Sequence, residues 1–169
     1  CKESPRPVIV KETGCGFSTK TLKRLSNLGV SAIDLSGRGG THWGRIEGKR
    51  APANSLQSTA AETFASWGES TVDSLVHAQE ALAGKVPVWA SGGLRSGLDA
   101  AKAIALGAER VGFAQPALKA ALVGEEALDR WMSQMEFELR VALFCTGCSR
   151  PEELRNRPEH WTWNSWTSK

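Results

Sequence analysis

Short apolar runs alternate with amphipathic stretches along this chain. Val8-Ile9-Val10, after Pro7, reads as a strand buried on both faces and ending at Lys11. Thr13-Gly14-Cys15-Gly16 follows as a turn. Ser18 is placed to cap a helix with Leu22, Leu25 and Leu28 on one side, stopped at Gly29. Ala32-Ile33-Asp34-Leu35 is the second strand, running into Ser36-Gly37-Arg38-Gly39-Gly40-Thr41. From His42 to about Ser58 the sequence is polar without a clear period, which predicts a long irregular loop. Helical pattern returns near Ala60 and again from Ser70, with Val72, Leu75, Val76 and Leu82 on one face and Gly84 at the end. Val86-Pro87-Val88-Trp89-Ala90 is the third strand, Leu98 to Leu106 an Ala-rich helix closed by Gly107, and Arg110 to Ala114 the fourth strand. Pro116 opens a short turn of helix. A long amphipathic helix from about Glu125 carries Leu128, Trp131, Met132, Met135, Leu139, Ala142 and Leu143 at helical spacing.

Strand followed by helix, four times over, predicts a parallel sheet covered by helices. Four such units make either half of a (β/α)8 barrel or a small open sheet. The 169 residues suffice for one domain with a core, but a complete barrel needs roughly 250. The first residue is Cys1 rather than Met, which suggests one part of a larger chain. A lone half-barrel leaves two strand edges unpaired, which favours pairing with a missing half. The domain is expected to span residues 1–157. Residues 158–169 hold three of the seven tryptophans without helical or strand pattern, and read as a tail that either packs on something or is disordered.

Composition narrows the function. Net charge is +3, with acids and bases mixed and no basic block, so nucleic acid is a poor partner and an anionic small molecule a better one. No apolar run approaches the ~20 residues of a membrane span. Cys1, Cys15, Cys145 and Cys148 lack a secreted-framework spacing, so the cytoplasm is the expected compartment.

The glycine-rich strand ends carry the candidate chemistry. Ser91-Gly92-Gly93-Leu94-Arg95-Ser96-Gly97 and Val111-Gly112-Phe113-Ala114-Gln115 each lie between an apolar run and a helix. Glycine lets backbone approach an anion, and a helix start offers free N–H donors. Ser36 to Thr41 is a third such end. Lys11 points into the mouth of the sheet, where active sites of such folds lie, or else snorkels and pairs with Glu12 or Asp34. Glu47 can serve as an acid or base beside a ligand, or form a solvated ion pair with a nearby arginine. His42 is either a base or a packed loop histidine. Cys145-Thr146-Gly147-Cys148 falls at the end of a helix, where thiolates gain nothing from the helix dipole, and reads as inert. No P-loop, no GxSxG elbow and no dinucleotide GxGxxG pattern is present.

Several of these segments occur together in one order: Val8-Ile9-Val10-Lys11-Glu12, Gly37-Arg38-Gly39-Gly40-Thr41-His42-Trp43 with Ile46-Glu47 and Arg50, Trp67-Gly68, Ala90 to Gly97, and Ala101 to Ala108. The set resembles the C-terminal half of type 2 isopentenyl-diphosphate isomerases, the flavin-dependent form, from about Pro7 to about Leu154. The Gly-Gly-Thr-x-Trp stretch with a following Ile-Glu is the more specific part.

The resemblance implies a (β/α)8 barrel binding FMN at its C-terminal mouth, with this chain giving strands five to eight. It places Lys11 at the flavin ring edge, where its charge favours an anionic reduced flavin. Ser36 and Thr41 match hydroxyl residues that contact FMN. Gly92, Gly93, Leu94 and Arg95 match the phosphate turn, and Ala114 with Gln115 the second one. Glu47 matches a glutamate proposed as acid or base. The implied reaction interconverts isopentenyl and dimethylallyl diphosphate on reduced FMN, with Mg²⁺ holding the diphosphate and NAD(P)H reducing the flavin. The family's magnesium and substrate residues lie mostly upstream and none is in this chain, so the resemblance gives it no metal ligands. It also implies a homo-oligomer and a chain that does not complete the cycle alone. Two alternatives stand beside it. One is a non-catalytic FMN- or phosphate-binding half-barrel that self-associates. The other is an FMN-dependent 2-hydroxy-acid oxidoreductase, which wants a histidine before Thr41 that this sequence lacks.

Overall fold

Side-chain oxygens start four of the helices. Ser18, Ser55, Ser70 and Ser96 sit in extended backbone, and each accepts a hydrogen bond from the amide three residues on. The computed structural model describes residue 1 and residues 3–155. Its strands are β1 (Ile9–Lys11), β2 (Ala32–Leu35), β3 (Val88–Ala90) and β4 (Arg110–Val111). Its helices are α1 (Thr19–Ser26), α2 (Trp43–Arg50), α3 (Leu56–Thr63), α4 (Thr71–Leu82), α5 (Gly97–Ala105), α6 (Gln115–Val123), α7 (Glu125–Cys145) and α8 (Pro151–Leu154).

The sheet runs β1-β2-β3-β4 in sequence order, with every pair parallel. Each return therefore crosses through a helix, as the alternation predicts. Register sets Lys11 beside Asp34, Asp34 beside Trp89 and Ala90 beside Val111, which brings the strand ends level. Leu22, Ile33, Leu35, Leu75 and Leu82 form the main core between the sheet, α1 and α4. Burying Ile33 or Leu35 this fully contributes about 1.5–3 kcal/mol each. A second cluster, with Ala101, Ile104, Leu143, Cys148 and Leu154, joins α5, α7 and α8. At that junction Gly97 leaves room for the α7 backbone, and its amide donates to Glu138 at 2.7 Å.

Three expectations change. The stretch from His42 to Ser58 is not an irregular loop. It forms α2 and the start of α3, because His42 Nδ1 accepts from the Arg45 amide at 3.2 Å and Gly48 lets Ala61 of α3 come close. Mixed charge on solvated helix faces hid the period. Secondly, β1 is not buried on both faces. Ile9 is 46% exposed and Val10 half-buried, because β2 is the one strand paired to β1 among the described residues. Thirdly, the turn opened by Pro116 is the nine-residue helix α6, with the proline in its first turn, where a missing N–H costs no hydrogen bond. No helix among the described residues is long and apolar enough to cross a membrane. The tryptophan-rich segment 158–169 lies outside the described residues.

Candidate functional site

Four parallel strands with level ends put four strand-end loops on one rim. There the surface opens into a cleft of about 1020 Å³, the size of a cofactor site. Lys11, Ser36, Thr41, Gly92, Gly93, Leu94 and Arg95 line it, as do Ala114 and Gln115. The rim thus gathers nine of the ten site residues expected from sequence, from segments more than one hundred positions apart. Asp34, Trp43, Ser91, Phe113 and Lys119 join them. Ser91 and Phe113 lie in the strand-end stretches that the sequence marks, and the sequence offers Asp34 as a partner of Lys11, but it assigns none of the five a role in the site.

Lys11 occupies the centre of a closed hydrogen-bond ring. Its Nζ donates to Asp34 Oδ2 at 2.7 Å and to Ser91 Oγ at 2.6 Å, and Ser91 Oγ donates to Asp34 Oδ1 at 2.8 Å. The two sequence readings of Lys11 are therefore both realised: it faces the cleft and pairs with Asp34. Glu12 is not its partner. That carboxylate is buried and accepts instead from the amides of Gly14 and Cys15, at 2.5 and 2.8 Å, which fixes the loop after β1. A carboxylate inside the otherwise apolar run Ala32–Leu35 was the available signal for Asp34. Nothing in the sequence near Ser91 reveals its role.

Glycines bring the loops after β2 and β3 into backbone contact. Gly92 and Gly93 take φ of +77° and +84°, where L side chains are strained. A Cβ on Gly92 would strike the Ser36 carbonyl oxygen, and one on Gly93 would meet the Gly39 carbonyl carbon at 2.8 Å. Gly40 packs likewise on Gly92. Arg95 ties the same loops by donating from Nη2 to the Gly39 carbonyl at 3.2 Å. Across the rim, α6 begins at Gln115 with no side-chain cap; Pro116 brings no N–H, and the remaining uncapped end of the helix favours an anion.

Glu47 is the expected site residue that does not reach the cleft. It lies on α2 with its side chain 63% exposed, and accepts from Arg50 Nη1 at 2.9 Å. His42 also stays off the cleft lining. Its Nδ1 caps α2, and its Nε2 lies 3.8 Å from Cys15 Sγ. Cys145 ends α7 and is exposed, while Cys148 is buried in the second cluster; both are free thiols. Among the described residues no three His, Cys, Asp or Glu side chains gather as a metal site.

The sequence matches the family described as FMN-dependent dehydrogenase over residues 1–161. The chain belongs to that family. Among curated relatives it is similar to an isopentenyl-diphosphate delta-isomerase of Bdellovibrio bacteriovorus, with 52% identity over 151 residues, 89% of this chain and 43% of that protein. An enzyme of the same name from Legionella pneumophila (strain Lens) is 51% identical over 156 residues, covering 92% of this chain and 45% of the relative. The chain thus spans less than half the length of these relatives. Among solved structures, a mandelate oxidase bound to (S)-2-phenylpropionate aligns with a TM-score of 0.67 at 25% identity, over 90% of this chain and 38% of the oxidase. Another, with (S)-4-hydroxymandelic acid, gives 0.66 at 23% identity, over 90% and 36%. With the four parallel βα units, these likenesses make the fold half of a (β/α)8 barrel.

Family membership brings FMN into question, and the rim suits it on three counts. The Gly39-Gly40 and Gly92-Gly93 loops, packed backbone to backbone because neither carries a side chain at the contact, line the cleft with main chain. Arg95, Lys119 and the open start of α6 supply positive potential there. Lys11 stands apart from them at the β1 tip, available to a ring edge.

Proposed function

We propose that this chain forms the FMN-holding half of an isopentenyl-diphosphate isomerase, as strands five to eight of the barrel. The observation that carries the reading is the convergence of Lys11, Ser36, Thr41, the Gly92–Arg95 turn and Ala114-Gln115 on one cleft. The roughly 50% identity to enzymes named isomerases favours this chemistry over the oxidation of hydroxy acids.

When bound, FMN supplies the proton-transfer chemistry between isopentenyl and dimethylallyl diphosphate. The chain's own residues bind and orient it. Amides of Gly92 to Leu94 and of the α6 start would hold the phosphate, the Arg95 side chain would balance its charge, and Ser36 and Thr41 would offer hydroxyls to the cofactor; the Arg95 amide itself is taken by Asp99. Lys11 directs an N–H to the ring edge. Mg²⁺ fits no side-chain group described above and belongs, in this reading, with the substrate diphosphate and residues of the other half-barrel. NAD(P)H serves as the flavin reductant, and assembly into a homo-oligomer accompanies barrel completion. Glu47 acts on substrate only if another part of the assembly covers α2, since its carboxylate is here turned to Arg50.

The hydroxy-acid alternative lacks its histidine base. No histidine stands between Ser36 and Thr41, and His42 is engaged as a helix cap. FMN titration of the chain, followed by flavin fluorescence and visible absorbance, tests the binding half of the reading; no saturable binding sinks it. Isomerase turnover with reduced FMN and Mg²⁺ is expected from a completed barrel and not from this chain alone. Oxidation of mandelate or lactate in place of isomerisation by the completed barrel would hand the assignment to the alternative.

A further inference from the structure

We infer that Asp34 and Ser91 are positioning residues that turn Lys11 into a one-donor, partly neutralised anchor for a single acceptor atom in the cleft. The inference rests on the flavin reading above for the identity of that acceptor. An ammonium group carries three N–H donors and no acceptor. Asp34 Oδ2 takes one at 2.7 Å and Ser91 Oγ another at 2.6 Å. Ser91 returns its own O–H to Asp34 Oδ1 at 2.8 Å, so the ring closes with every donor direction fixed. One Lys11 N–H remains, on a side chain that lines the cleft.

Three separate segments hold this ammonium: β1 through Lys11 itself, β2 through Asp34, and the turn after β3 through Ser91. Parallel register sets Lys11 directly beside Asp34. The Asp34 side chain is 17% exposed and that of Lys11 52%, so the carboxylate is shielded while the ammonium keeps a face open to the cleft. A carboxylate in hydrogen-bond contact offsets much of the ammonium field felt from the cleft. The acceptor therefore meets a directed N–H rather than an open cation. For a flavin ring edge, which gains negative charge on reduction, Asp34 limits how far Lys11 favours the reduced over the oxidised form.

Two measurements test this. In the flavin-free chain with ¹⁵N-labelled lysine, the Lys11 ammonium, identified by its absence in Lys11→Gln, should give a side-chain ¹H–¹⁵N signal, because clamped protons exchange slowly. Ser91→Ala and Asp34→Ala should each weaken that signal. A Lys11 signal missing in the unaltered chain, or unchanged in both variants, overturns the clamp. In the FMN-loaded protein, Asp34→Asn keeps an oxygen acceptor and removes the charge. The preference for reduced over oxidised FMN should rise about tenfold, equal to a shift of about +30 mV for a two-electron couple. Asp34→Glu should return it toward the original value. An unshifted or lowered potential in Asp34→Asn overturns the charge-offsetting role. If the ammonium signal responds as expected while FMN fails to bind, the clamp is supported and the flavin reading falls.

Discussion

Asp34 and Glu47 are carboxylates thirteen positions apart, and the fold gives them opposite fates. Asp34 sits at the rim, 17% exposed, and joins Lys11 and Ser91 across 23 and 57 residues of sequence. Glu47 sits on the α2–α3 hairpin, 63% exposed, and joins Arg50 three residues away. In the first case three parallel strand tips converge and hold the group out of bulk water. In the second, one helix turn supplies the partner and solvent supplies the rest. Polar residues therefore become a site where long-range pairing gathers them, and remain a solvated face where local spacing alone does.

The sharpest way to break that contrast is Lys11→Ala in the completed enzyme. Removing a charged donor aimed at developing charge is expected to lower turnover about 10²–10³-fold, with oxidised-FMN affinity changed far less. Unchanged turnover removes Lys11 from the mechanism. Gly93→Val comes next. It forces a branched side chain onto the Gly39 backbone at a left-handed φ. Overpacking is expected to cost about 1–3 kcal/mol of stability, and the displaced turn should bind FMN more weakly, read by fluorescence quenching. If affinity survives, the phosphate lies elsewhere. On the hairpin, Glu47→Gln should cost only about 0.3–0.5 kcal/mol of stability, and should leave FMN affinity unaltered. A strong loss of FMN binding there would erase the distinction between the two regions.

The smallest effect belongs to His77, which faces the segment following the hairpin. A hydrogen bond with the Glu69 carboxylate at 3.0 Å raises its pKa above the ordinary 6.5; burial opposes this, and the charges of Glu69, Glu80 and Asp73 add to it. The folded state thus prefers the protonated ring. That stabilisation is complete below pH 6.5 and fades as pH climbs through the raised folded value. The side chain is 43% exposed, so the effect is small. Thermal melts of His77→Gln should lose this slope. A melting profile with the same pH dependence as the unaltered chain removes the Glu69 pairing as its cause.

Much of the architecture is legible in the sequence because its signals are local. Ser18, Ser70 and Ser96 bond amides three residues ahead, and the glycines after α1 and α5 adopt positive φ just past each helix end. The glycine-rich rim was legible for a related reason: each loop announces itself directly after an apolar run. The α2–α3 hairpin was not: both helices are short, α2 is charged and starts at a histidine, an uncommon cap, and α3 buries none of its residues although Ser55 caps it. Glu47 was placed near the ligand by family resemblance. Its local partner Arg50, read at face value, gave the arrangement found here.

The order of strands and helices, where most of them begin and stop, and the glycine-bearing loops that could meet an anion all follow from the sequence, since each depends on contacts within a few residues. Which neighbour Lys11 chose was decided by tertiary structure alone. Glu12 is adjacent in sequence, yet it lies just past the end of β1 and its carboxylate is taken by the amides of its own loop. Asp34 and Ser91 lie 23 and 80 residues away, and only the parallel register of β1, β2 and β3 brings them to the ammonium.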